Sequence, residues 1–188
     1  MRRIIVVCSL VVALIGSLGI GRAGLGTAAQ DATPEELAAH PVVGTWLAMS
    51  PSGPTVITFG PDGSAELGWA ISYVDPTFPD LDVVFNSPGI GTWEPVDARK
   101  AHFTVVAVLS DMHGTYLGTA TLDGYPTVGT DGQTFTDVAP EGRLTVRDAA
   151  NHVLADLTNL AVGVTATRMT PGSVVFPAAS PAAATPAA

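Results

Sequence analysis

Cysteine is nearly absent from this chain: there is one, Cys8, and it lies inside the first apolar run. Beyond that run no disulfide framework, thiol nucleophile or thiolate metal site can be built. Positive charge is scarce too. Lys100 is the sole lysine, and eight basic residues stand against seventeen acidic ones over 188 positions. Arg2, Arg3 and Arg22 fall within the first 29 residues, so the rest of the chain carries five cations and all seventeen anions. Such a surface repels phosphate backbones and anionic lipid, which excludes nucleic acid as an expected partner. One lysine is a thin basis for Schiff-base chemistry, and no glycine-rich phosphate loop leads from a strand into a helix. The histidines, His40, His102, His113 and His152, show no metal-ligand spacing and no recognisable arrangement with Ser or Asp. No catalytic residue, metal or cofactor is assigned from the sequence.

What is present begins with a sorting signal. Met1-Arg2-Arg3 is a short basic start, Ile4 to Ile20 is almost wholly apolar, and Gly21 to Ala29 is a patch of small residues. This three-part layout is that of a secretory signal peptide over 1–29, with Thr27 and Ala29 suiting the cleavage site. The alternative is an uncleaved anchor, since seventeen apolar residues nearly span a bilayer. Cleavage is the favoured reading, and it predicts a secreted, extracellular protein with no stable membrane insertion. At the far end, 171–188 turns into Ala and Pro without charge, a composition that cannot offset its ordering entropy, so a disordered tail is expected. Residues 30–40 read as a lead-in and one short helix: Thr33 caps it, Pro34 suits the first turn and Glu36 completes a capping box.

Residues 41–170 are β in character. Runs of Val, Thr, Ile and aromatics are separated by turn signals such as Pro61-Asp62-Gly63, Asp123-Gly124, Asp131-Gly132 and Glu141-Gly142. The expected strands are 43–49, 54–60, 63–71, 89–95, 101–110, 115–123, 133–147 (bent or broken near Pro140) and 159–169. Eight antiparallel strands in sequence hide their edges either as a closed barrel or as two packed sheets. The long crossing loops and cysteine pair of a typical immunoglobulin sandwich are missing. The expectation is an all-β, eight-stranded antiparallel up-and-down barrel with one short N-terminal helix.

In a closed barrel the first and last strands are neighbours. Trp46, in Gly44-Thr45-Trp46, could then meet Arg168 by a cation–π contact. In these residues, and in the stretches HPVVGTW, TFGPDGS, GIGTWEP and TATRM, the chain resembles the lipocalin-like calycin superfamily. It looks closest to secreted bacterial lipocalin-like proteins. The resemblance spans about 40–170 and implies a barrel with Gly44, Trp46 and Arg168 as its structural signature. The Thr-Asp-Tyr of lipocalins proper is missing, so the broader calycin grouping is the one implied. Gly91-Thr92-Trp93 repeats the triplet without repeating its flanks and reads as local packing.

The function expected from this resemblance is a binding protein that holds a small apolar or amphipathic ligand in the barrel. Candidate lining residues are Ile57, Phe59, Tyr73, Phe85, Phe103 and Tyr116. Residues 71–88 interrupt the strand series with three aromatics and Asp75, Asp80 and Asp82. They serve either as a lid at the barrel mouth or as a short edge hairpin. The aspartate spacing matches no calcium loop. Two alternatives stay open: a filled-barrel interaction or inhibitor protein, and, more weakly, a cyclase or isomerase of calycin type. A binding role is favoured over an enzymatic one, and the sequence leaves the oligomeric state unknown.

Overall fold

Thr33 and Glu36 form the capping box: the Glu36 amide donates to Thr33 Oγ1 at 3.3 Å, and the Thr33 amide donates to Glu36 Oε2 at 2.8 Å. They start helix α1 (Pro34–Ala39), which settles Leu37 on the sheet's main core. The computed structural model describes residues 32–50, 53–138, 140–158 and 163–172. The expected signal peptide and nearly all of the expected tail lie outside the described residues. The strands are β1 (Gly44–Ser50), β2 (Gly53–Phe59), β3 (Ser64–Gly68), β4 (Ser72–Tyr73), β5 (Val84–Asn86), β6 (Gly89–Pro95) and β7 (Ala101–Ser110). They continue as β8 (Tyr116–Gly124), β9 (Thr127–Val128), β10 (Thr134–Asp137), β11 (Arg143–Asp148), β12 (Val153–Thr158) and β13 (Val164–Arg168). No helix among the described residues is long and apolar enough to cross a membrane.

These thirteen strands, not eight, form one antiparallel sheet curled into a half-barrel that is not closed. The order is β12-β11-β8-β7-β6-β3-β2-β1-β13-β10-β9, with β4 and β5 attached to the end of β7. The departure from a closed eight-stranded barrel has a local cause. The run 133–147 is cut by Pro140-Glu141-Gly142, and its halves go to opposite arms of the sheet: β10 pairs with β13, and β11 pairs with β8. A proline has no amide to give to a ladder, so the break falls where the expected bend was placed. Pro126 breaks the other arm in the same way, between β8 and β9. There the two arms meet at the bridge Lys100 to Thr127, flanked by the Ala101 amide on Pro126 O and the Val128 amide on Arg99 O. Of the expected strand 159–169, residues 159–162 lie outside the described residues and Val164–Arg168 is β13, while 153–158, assigned to no strand, forms β12, the edge strand beside β11.

Period-2 alternation fixes which side faces in. Along β7, Ala101, Phe103, Val105, Ala107 and Leu109 are buried while Val106 and Val108 are exposed. The inward groups form two clusters. The first centres on Phe59, whose ring lies 5.6 Å from Phe103, 6.2 Å from Trp93 and 6.5 Å from Phe135, centroid to centroid. Trp46 adds an edge contact to Phe135 at 5.1 Å. The second comprises Val84, Leu109, Ala120 and Val146, with Trp69, Tyr73, Phe78 and Leu81 packed over it. The 71–88 excursion thus covers that second cluster, and its ends pair as the small β4–β5 hairpin.

Candidate functional site

The outer face of β6, β7 and β8 holds the candidate site. Trp93 and Phe103 point inward, so their strand neighbours Thr92, Glu94, His102 and Thr104 point outward. Register then aligns them: Thr92 lies opposite Thr104, Glu94 opposite His102, and Thr104 opposite Asp123. An open cleft of about 210 Å³ runs over Thr92, Trp93, Glu94, His102 and Thr104.

His102 sits between two carboxylates. Its Nδ1 is 3.3 Å from Glu94 Oε1, and its Nε2 is 3.5 Å from Asp123 Oδ1. The Thr104 hydroxyl donates a short hydrogen bond to the same Asp123 oxygen. The imidazole stacks on Tyr125 at 4.5 Å and 12°. Lys100 Nζ stands 5.2 Å over the Tyr125 ring and 3.5 Å from Glu141. Arg143 is the register partner of Asp123, yet its guanidinium forks onto Asp156 at 2.7 and 2.6 Å. That bidentate pair, more than any other neighbour, holds the Arg143 guanidinium above its usual range. The cluster therefore carries two carboxylates against one imidazole. The Glu94 side chain is 70% exposed; those of His102 and Asp123 are each 27% exposed. Both ring nitrogens of His102 thus face carboxylates.

The other histidines do different work. His40 is buried, accepts the Val42 amide on Nδ1 at 3.2 Å and so donates Nε2–H to Asp97 O at 2.9 Å, a lock between α1 and the β6–β7 turn. His152 Nδ1 lies 3.1 Å from Asp148 within the β11–β12 turn.

The six lining candidates do not share one place. Ile57, Phe59 and Phe103 lie in the first core cluster, in contact with its other side chains. Tyr73 packs on the second cluster, and its hydroxyl donates to Asp75 Oδ2 at 2.7 Å. Phe85, beside buried Val84 on β5, is half-buried, and Tyr116 at the head of β8 is exposed. Asp75 is buried and also accepts the Thr77 amide and hydroxyl at 2.8 and 2.7 Å, so this carboxylate organises the excursion's own turn.

Gly44, Trp46 and Arg168 come together. Trp46 and Arg168 are register partners, and the guanidinium carbon lies 4.1 Å from the Trp46 ring centroid. Arg168 Nε donates to Gly132 O at 2.9 Å, Nη1 to Val43 O at 2.7 Å and Nη2 to Pro41 O at 2.5 Å. Glu94, Asp123 and Tyr125 escape sequence reading, because their proximity to His102 depends on the register of two hairpins. The one usable signal was the alternation of 101–110, which sets His102 and Thr104 on the same outward side.

No family model, no curated protein and no solved structure matches this chain. The fold and site define an all-β half-barrel with a buried aromatic cluster inside and a charged cleft on its outer surface.

Proposed function

We propose that this is a secreted binding protein that meets its partner on the outer surface of the half-barrel, with the interior serving as a packed frame. One observation carries this reading: Phe59 is enclosed by Trp93, Phe103 and Phe135, so the space a carried ligand needs is taken by side chains. Well-packed interiors leave few voids larger than a water molecule. The test is a titration with hexadecanoate and with a tetrapyrrole, followed by tryptophan fluorescence. Trp46 and Trp93 border the main core. No saturable change is expected, and a stoichiometric quench would overturn the reading.

A second reading keeps the calycin-type carrier, and a specific observation favours it. Tyr73, Phe78 and Leu81 of the excursion rest on the second cluster, where a hinged flap could admit an apolar ligand. In that case the same titration gives a change in Trp69, which packs on both clusters, and Trp69→Phe abolishes it.

A further inference from the structure

The outer face of β6 and β7 changes character along its length. At one end Ile90 and Val106 are opposite each other, with Val108 two residues on; they are 59%, 41% and 49% exposed. Thr92 and Thr104 follow, and then the Glu94–His102–Asp123 cluster. From Val108 to His102 the track spans six residues, about 20 Å at the rise of a strand. Apolar, hydroxyl and acidic groups thus succeed each other in one row. The cations near the acidic end have their main partners elsewhere: Arg143 is forked onto Asp156, with Asp123 a weaker electrostatic neighbour, and Lys100 is engaged with Glu141 and Tyr125.

We infer that this track receives an extended, cationic segment of a partner protein, with an arginine or lysine against Glu94 and Asp123 and apolar side chains on Ile90, Val106 and Val108. The inference rests on the outer-surface reading above and names the chemistry of the partner. Charge complementarity selects it: beyond residue 29 the chain has five cations against seventeen anions, and the exposed carboxylate of this cleft belongs to that excess. Complementary charge mainly sets specificity and on-rate, while the apolar end contributes burial. The groups facing His102 are Glu94 from β6, Asp123 and Tyr125 from the β8 side, and Thr104 on its own strand, with Lys100 beyond Tyr125.

The probe is the acetylated tetrapeptide amide Leu-Val-Thr-Arg, titrated into the isotope-labelled full chain, with Leu-Val-Thr-Glu as its counterpart. Amide shifts are expected along Ile90–Glu94 and His102–Val108 for the arginine peptide alone. Glu94→Gln is expected to weaken binding about fivefold, with the thermal midpoint unchanged because this side chain is mostly exposed. Equal shifts with the glutamate peptide, or unchanged affinity in Glu94→Gln, would overturn the cationic inference while leaving outer-surface binding standing. Shifts confined to Tyr73, Leu81 and Val84 would overturn both.

Discussion

At Gly44 a missing side chain makes room for a present one. A Cβ there would stand 2.5 Å from Arg168 Nη1, and the backbone φ of +132° is itself a glycine conformation. Arg168 uses that space to lie on Trp46 and to tie three carbonyls from two segments, Pro41 and Val43 before β1 and Gly132 before β10. Burial lowers the readiness of its guanidinium to hold a proton, but an arginine keeps its charge in a protein. Arg168→Ala is expected to lose about 2–3 kcal/mol, several degrees in thermal midpoint. Arg168→Lys should recover little of it, because an ammonium cannot supply the fork. An unchanged midpoint in both would show that the contact carries no stability. Tyr73 gives a pH-dependent case. Burial, and next the hydrogen bond to Asp75, push its phenol above the ordinary range. The folded state therefore holds this proton more tightly than the unfolded chain, whose tyrosines titrate near about pH 10. Its contribution is complete below that pH and is lost as pH rises beyond it. Urea midpoints of the native chain should fall above about pH 10 more steeply than those of Tyr73→Phe; parallel curves would contradict this. The Trp46–Arg168 pairing was legible because it asks only that the first and last strands be neighbours. The Glu94–His102–Asp123 cluster was not, since a one-residue slip in either hairpin would turn these side chains inward.

The elements were legible to the extent that a turn and an alternating run stood side by side. β6 and β7 occupy the expected 89–95 and 101–110, and β1, β2 and β8 differ from expectation by one residue at each end. Past Gly124 the reading loses its hold. The run 133–147 breaks at its expected place near Pro140, but its halves go to different arms, and β9 after Pro126 was assigned to no strand; both outcomes are settled by tertiary pairing. Val153-Leu154-Ala155-Asp156-Leu157-Thr158 forms β12 without a clean alternation, and its Val153, Leu154 and Leu157 are exposed, so no periodic signal marked it. The excursion belongs to this scale as well. β4 and β5 are two and three residues long, and they are held by Asp75, by a two-residue ladder from β5 to the end of β7 and by a few side chains on the second cluster. Local opening follows such sparse burial. Hydrogen exchange is expected to release the amides of 72–86 well before those of β6 and β7; equal protection would show that the excursion unfolds only with the whole sheet.

For the whole molecule, curling without closure divides the labour. The inner side supplies cohesion through five aromatic rings joined at Phe59 and Phe135, and the outer side carries the charge and the cleft. Because Phe59 is central to that packing, Phe59→Ala should cost about 3–5 kcal/mol, read as a shift in the urea midpoint. A loss below about 1 kcal/mol would mean that the interior can collapse around the gap or already holds one. The filled interior is the claim on which the functional account depends, and native mass spectrometry of the protein, purified without detergent, addresses it directly. The account predicts the mass of the polypeptide alone, unchanged when hexadecanoate or a tetrapyrrole is offered. A mass excess that vanishes on denaturation and is recovered in an organic extract would contradict it, and would identify a carried apolar ligand.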